Sequence, residues 1–130
     1  MHDVDTDSVP QAILALERRA LERWSNGDPS GFLEISAPEV TYFDPFVPQR
    51  IDGLDALREY YEALRGKVHA RSFQFVNPIV RHYESIAVLT FNFVCVLESG
   101  TELRWNCTEV YRQLTEGWRI VQTHWSYTKI

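Results

Sequence analysis

Only two cysteines occur in 130 residues, and both, Cys95 and Cys107, fall inside apolar strand-like runs instead of a CxxC pair or a disulfide framework. Reduced, packed thiols are the expected state, which points to a cytoplasmic setting. No apolar run approaches the roughly 20 residues that a membrane helix requires, and the opening MHDVDTDSVP is acidic and lacks an apolar h-region. Neither a membrane partner nor an export route is expected. Positive charge is scarce as well: 13 Lys and Arg against 18 Asp and Glu give a formal net charge of -5, so the basic footprint of a nucleic-acid partner is missing. There is no P-loop, GxGxxG, HExxH or paired-cysteine motif, and no Ser, His and Asp set stands at recognisable positions for acyl transfer. His2, His69, His82 and His124 have no ligand-like spacing. No cofactor and no metal are therefore expected. Repeats, linkers and low-complexity segments are also absent. A chain of this length, 45% hydrophobic and 24% charged, suits one domain over residues 1–130 with a core of its own.

What the chain does have is aromatic rings, concentrated toward its end. Trp105 to Arg112 (WNCTEVYR) and Gly117 to Tyr127 (GWRIVQTHWSY) are two strand patterns in which Asn106, Glu109, His124 and Ser126 sit beside Trp105, Tyr111, Trp118 and Trp125. A solvated surface sheet has no need of so many rings, whereas the wall of a concave pocket is mostly apolar with a few placed polar groups.

The first helix is expected from Ser8, a capping residue, with Pro10 in its first turn and Val9, Ile13, Leu16, Ala20, Leu21 and Trp24 at helical spacing. Asn26 and Gly27 stop it. Asp28 and Pro29 start a short helix carrying Phe32, Leu33 and Ile35, which Pro38 ends. Val40 to Phe43 reads as a short strand, followed by a loop with Asp44, Pro45 and Pro48. A third helix runs from about Gly53 to Leu64, and Gly66 closes it. From Arg71 the period switches to two, in runs over Arg71 to Tyr83, Ser85 to Leu97, Thr101 to Gln113 and Trp118 to Thr128. Their short connections imply an antiparallel meander. The second run is apolar on both faces, so one face should meet the helices and a second subunit is the simplest cover for the other.

Helices first and a long curled antiparallel sheet last make an α+β domain with its helices on one sheet face. In this order the chain resembles the cone-shaped fold of nuclear transport factor two and ketosteroid isomerase. WSNGD (Trp24 to Asp28), TYFDP (Thr41 to Pro45), IDGLDALREYYEAL (Ile51 to Leu64) and the WNCTEVYR and GWRIVQTHWS strands carry the resemblance. It is nearest to the SnoaL-like and calcium/calmodulin-dependent kinase association-domain-like branches. The resemblance implies a pocket enclosed between helices and sheet, and a homodimer packed through the sheet. It does not imply one activity, because that superfamily includes isomerases, cyclases, dehydratases, oligomerisation modules and transport adaptors.

Two roles are open to Asp44: a carboxylate at the pocket rim that takes a proton next to a carbonyl, or a turn residue that accepts backbone hydrogen bonds before Pro45. Tyr42, two residues earlier, shares its face. His124 could act as acid or base near neutral pH, with Glu109 fixing its tautomer, or could bond a neighbouring strand or a partner subunit. Trp105, Cys107, Glu109 and Tyr111 share one strand face by alternation. On the last strand Trp118, Ile120, Gln122, His124 and Ser126 oppose Arg119, Val121, Thr123, Trp125 and Tyr127, and alternation alone leaves the inward set open. Asn92 and Asn106 need hydrogen-bond partners if buried, and either could orient a ligand carbonyl. Trp24, Phe32, Phe46, Tyr60, Tyr61 and Phe75 could line a site for a flat ligand, or be plain core. Trp105 and Trp125 complete the candidate wall.

Ketosteroid isomerase chemistry needs a carboxylate base and an oxyanion hole made by a tyrosine and a protonated acid. Tyr42 and Asp44 stand in the right general region, but the long strands carry no second aspartate, so the full set is not transferred. A SnoaL-like cyclase would need an aspartate on the pocket wall, which the last two strands do not supply. The sequence thus favours a protein binding a small, largely apolar or aromatic molecule. Isomerase, cyclase or lyase chemistry on a small apolar carbonyl compound through Asp44, Tyr42 and His124 is the second reading, and a homo-oligomerisation module the third.

Overall fold

The computed structural model describes residues 4–129, with side chains from residue 9 onward. Its elements in chain order are α1 (Val4–Ser25), α2 (Ser30–Glu34), β1 (Ser36–Phe43), β2 (Ile51–Asp52), α3 (Leu54–Glu62), β3 (Ala70–Tyr83), β4 (Ile86–Leu97), β5 (Glu102–Leu114) and β6 (Gly117–Tyr127). The strands form one curved, unclosed sheet in the order β2-β1-β6-β5-β4-β3, and the helices pack on its concave face. This is the expected α+β arrangement. No helix among the described residues is long and apolar enough to cross a membrane.

The four long strands form an antiparallel meander with boundaries within a residue or so of the hydrophobic alternation. Pro78 is tolerated in β3 because that strand is at the sheet edge, where a missing N–H breaks no inner ladder. Beside it Asn77 takes a positive φ of 49°, and the pairing with β4 slips between Val76 and Ile79. A second slip lies between β5 and β6, where Val110 faces Gln122 but Tyr111 faces Ile120. Val121 is thus an extra residue. Each bulge adds local twist, and together they bend the sheet around the helices.

Several local expectations change. Helix α1 is under way by Val4, so Ser8 and Pro10 lie inside it. A proline fixes φ in the helical range, and the helix can continue through it at the loss of one bond. The second helix yields to strand at Ser36, before Pro38, because β1 already docks beside β6: Ile120 N donates to Ile35 O at 2.7 Å, and Ser36 pairs with Ile120. Strand β1 therefore starts four residues before Val40 and runs parallel to β6, with the two-residue β2 on its other edge.

Ile13 and Leu21 of α1, Val40 of β1, Leu57 of α3, Leu89 of β4, Tyr111 of β5 and Ile120 of β6 are all sealed from solvent in one continuous core. Helix α1 thus presents Ile13, Glu17 and Leu21 to the sheet, one turn apart. Truncating a side chain as deep as Leu89 to alanine is expected to cost about 2 to 5 kcal/mol.

Candidate functional site

The concave face is not filled along its whole length. Beyond the core a cavity of about 720 Å³ opens between α1, α2, α3 and the ends of the strands. Trp24, Phe32, Tyr60 and Tyr61 line it from the helices; Tyr42 and Asp44 from β1 and its end; Phe93, Cys95, Leu103, Trp105, Trp125 and Tyr127 from the sheet. Lys67, His69, Glu98 and Ser99 reach it from the α3–β3 connection and the β4–β5 turn.

The WSNGD segment builds the helical side of this wall. Gly27 closes α1 at a positive φ of 82°, and a Cβ there would meet the His69 ring at 3.0 Å and the Gly66 backbone at 3.2 Å. Only glycine fits both demands. Gly66 N then donates to Gly27 O at 2.9 Å, which ties the α3–β3 connection to the helix end. Asp28 fastens the same corner: its carboxylate accepts from Arg23 Nε at 2.9 Å, Arg65 Nη1 at 3.0 Å and Ser30 N at 3.0 Å. The Arg23 bond, opposed in part by burial, holds the Asp28 carboxyl down at about 2. This corner sets Trp24 against Phe32 (6.1 Å) and Tyr61 (5.1 Å).

Asp44 anchors the opposite wall. Its Oδ2 accepts from Tyr42 Oη at 2.8 Å and Tyr60 Oη at 2.6 Å, while Oδ1 accepts from Phe46 N at 2.8 Å and Val47 N at 3.2 Å. The turn reading and the pocket reading of Asp44 both describe the same side chain: one oxygen holds the loop, the other holds two phenols. Burial raises the Tyr42 phenol well above its ordinary range, with the charges of Tyr61 and Asp44 adding to it. Burial also raises Tyr60, helped by the Asp44 hydrogen bond. Both therefore stay protonated and donate. The loop bond places Phe46 at the rim, 65% exposed, edge-on to Trp105 (6.1 Å) and Tyr127 (5.9 Å), which stack on each other at 4.3 Å.

Of the expected site residues, the fold brings Trp24, Tyr42, Asp44, Phe46, Tyr60, Tyr61, Trp105 and Trp125 to one cavity. Five others lie elsewhere. His124 is exposed on the outer sheet face, its ring 5.0 Å from Phe43, and it does not share the cavity with Asp44. Asn92 and Asn106 are also on the outer face, where they form a polar ladder: Asn92 Nδ2 donates to Asn106 Oδ1 at 2.7 Å, and Asn106 Nδ2 to Ser126 Oγ at 3.2 Å. They satisfy one another there, so neither is a buried amide in want of a partner.

Glu109 faces inward but is sealed, and does not line the cavity. Thr123 Oγ1 donates to it at 3.1 Å, so it cannot fix a tautomer of the outward His124. Its neighbour is Glu17 of α1, equally buried, which accepts from Tyr111 Oη at 2.7 Å. Burial pushes the Glu109 carboxyl far up, and the nearby Glu17 charge pushes it further. Burial raises Glu17 too, against the hydrogen bonds of Glu109 and Tyr111. Burial thus favours the protonated form of both carboxyls.

Phe75, a candidate for the lining, instead packs edge-on against Phe91 at 4.7 Å under the Arg18 guanidinium. Phe93, Cys95 and Tyr127 line the cavity without having been singled out for it. By alternation Phe93 and Cys95 share a face with Ala87, Leu89 and Phe91, but alternation does not say at which end of β4 the core gives way to open space. Among the described residues no three His, Cys, Asp or Glu side chains gather as a metal-binding group.

Comparison with known proteins gives the same architecture. Among solved structures, a protein from Parabacteroides distasonis named as a candidate ketosteroid isomerase is 42% identical, with a TM-score of 0.86, covering 95% of this chain and 90% of that one. A nuclear transport factor 2-like protein of unknown function from Pseudomonas putida is 19% identical at a TM-score of 0.82, covering 92% and 86%. The CaMKII hub of S. rosetta is 21% identical at 0.74, covering 91% and 95%, a likeness of fold alone. No curated protein matches the chain. The family model of the SnoaL-like domain matches residues 18–123, from the middle of α1 to the buried Thr123 of β6, and the chain belongs to the SnoaL-like family.

Proposed function

We propose that this protein binds a small, largely apolar organic molecule in the cavity between its helices and sheet. The observation that carries the reading is the wall itself: about 720 Å³, within the roughly 300 to 1,000 Å³ of small-molecule sites, aromatic on most sides, with a single hydrogen-bonded carboxylate cluster to orient a ligand. The experiment is a thermal-shift titration across a panel of apolar ring compounds carrying one polar group each. Saturable stabilisation by a subset is expected, and flat responses across the panel would sink the reading.

A second reading, acid/base chemistry on a small apolar carbonyl compound, is supported by Asp44 lining the same wall with two phenols on one oxygen, and by the name of the 42% identical relative. In that chemistry Asp44 Oδ2 would take the proton next to the carbonyl, giving up one phenol hydrogen bond, and that phenol would turn to the developing enolate oxygen. His124 is not part of it, since it lies outside the cavity. Asp44→Asn is expected to abolish turnover of an enolisable ketone in a folded protein; unchanged turnover would end the assignment.

Pairing of two copies through the outer sheet face is supported by the half-buried Val88, Val94, Val96 and Val110 and the exposed Ile79 (49%) and Tyr83 (60%) there. Val94→Arg should split such a dimer in sedimentation, and a wild-type monomer at working concentration would exclude it. Both cysteines are free and buried, which supports a reducing, cytoplasmic setting.

A further inference from the structure

We propose that the cavity selects ligands that enter as cations: a protonated amine on an apolar skeleton, its ammonium group at Asp44 and against the surrounding rings. The proposal rests on the small-molecule reading of the same cavity and names the class of molecule.

A phenol has one hydrogen and a backbone amide has one. The hydrogens of Tyr42, Tyr60, Phe46 N and Val47 N all point at the Asp44 carboxylate. What the cluster still offers a ligand is lone pairs, on the Asp44 oxygens and on the phenol oxygens that the carboxylate polarises. At this cluster, a ligand that only accepts, such as a ketone or a carboxylate, must break one of these bonds to gain one. A ligand that donates need break none.

Charge then separates a cation from a neutral donor. All four partners of Asp44 are neutral, and among the described residues no lysine or arginine pairs with it. No cationic side chain therefore neutralises this carboxylate, which stands half-buried at the cavity wall. No arginine lines the cavity, and the one lining lysine, Lys67, is exposed and shares the rim with the exposed Glu98. His69 is also at the rim, its Nε2 engaged with Gly66 O at 3.0 Å. Finally, the rings beside Asp44, Tyr60 and Phe46 among them, with Trp105 and Tyr127 across the rim, offer π faces to an ammonium group. The chain's net charge of -5 favours approach of a cation in the same sense.

The test compares three probes of one shape at neutral pH by isothermal titration calorimetry: aminomethyladamantane, hydroxymethyladamantane and adamantanecarboxylate. The amine is expected to bind about tenfold or more tighter than the alcohol, in line with a charge held against rings and a carboxylate, and the carboxylate weakest of the three. Asp44→Asn should bring the amine down to the affinity of the alcohol. Tyr60→Phe, which removes one competing donor from Oδ2, should keep or widen the amine's advantage, and decides the matter if Asp44→Asn disturbs the rim loop enough to lose the alcohol as well. Equal affinity for amine and alcohol, a preference for the carboxylate, or loss of the preference in Tyr60→Phe overturns the cation class while leaving small-molecule binding in place. Failure of all three probes to bind removes both.

Discussion

Two carboxylate-and-phenol clusters stand on the same concave face, and they have been put to opposite uses. Asp44, with Tyr42 and Tyr60, borders the open cavity, and each of its oxygens accepts two hydrogen bonds. Glu109 and Glu17, with Thr123 and Tyr111, lie under α1 with no exposed surface, and one oxygen of each carboxyl has no partner. Donors to a carboxylate can come from phenols and loop amides where the chain turns at a rim, and β1 ends in such a turn. In the middle of a helix and a strand the backbone donors are already used by the ladder, so two acids buried there are pushed toward their neutral forms instead. The open cluster keeps its carboxylate at the cavity wall; the closed one is pushed to give up charge by its burial.

Replacing the same residue type in each cluster gives the largest contrast. Tyr111→Ala removes a fully buried ring together with the donor to Glu17, and an expected loss of about 3 to 5 kcal/mol follows from a cavity of that size in a packed core. Tyr60→Ala, at the wall of a space already open, should cost only about 1 to 2 kcal/mol. Urea unfolding of the two variants measures both, and equal costs would mean that the cavity wall is packed as tightly as the core.

The closed cluster should also leave its mark on the pH dependence of stability. Glu109 and Glu17 both have carboxyls raised above their ordinary range in the folded protein. The folded state therefore binds protons that the unfolded state has released, and their contribution is fully present below the ordinary glutamate range and declines as pH rises above it. Asp28 acts in the other direction: held down at about 2, it contributes above the ordinary aspartate range and loses that contribution in strong acid. Glu109→Gln keeps an acceptor for Thr123 and offers Glu17 a permanent donor. It should stabilise the protein by about 1 to 2 kcal/mol near neutral pH and flatten the decline on the alkaline side. A variant no more stable than wild type at neutral pH, with the same slope, would show that burial does not hold these carboxyls above their ordinary range.

How much of this was legible in the chain differs between the two clusters. The long strands were readable from alternation because β4, β5 and β6 each bury one face and β3 half-buries Phe73, Phe75 and Val80 on its own, and the aromatic wall from the rings of Trp105, Trp125, Tyr60 and Tyr61. Asp44 was readable as either a turn residue or a pocket acid; its Oδ1 holds the loop amides and its side chain lines the cavity. The closed cluster was half hidden. Glu109 belongs by alternation with Trp105, Cys107 and Tyr111, but Glu17 reads as a solvated helix residue unless its spacing from Ile13 and Leu21 is noticed: four residues from each, on the buried stripe. The bulge at Val121 left no local trace. It puts Trp118 and Ile120 on the same face as Thr123 and Trp125, which strict alternation forbids. Nor could the parallel docking of β1 on β6, or the two-residue β2, be read from segments so short and so far from their partners.

The smallest expected effect concerns His124, which the sequence offers as an acid or base or as a structural histidine. His124 is paired with Phe43 across β6 and β1, and its exposed ring lies against the Phe43 ring on the face away from the cavity. Its substitution removes one exposed contact and no group of the Asp44 cluster. His124→Ala should therefore change stability by no more than about 0.5 kcal/mol and leave the affinity for any cavity ligand within about twofold, a difference of some tenths of a kcal/mol. The same titration used for the amine and alcohol probes reads it. A large loss of affinity would mean that a histidine on the outer face acts on the cavity through β1, whose last residues carry Tyr42 and lead directly into Asp44, and the separation of the two faces on which the contrast between the clusters depends would fail with it.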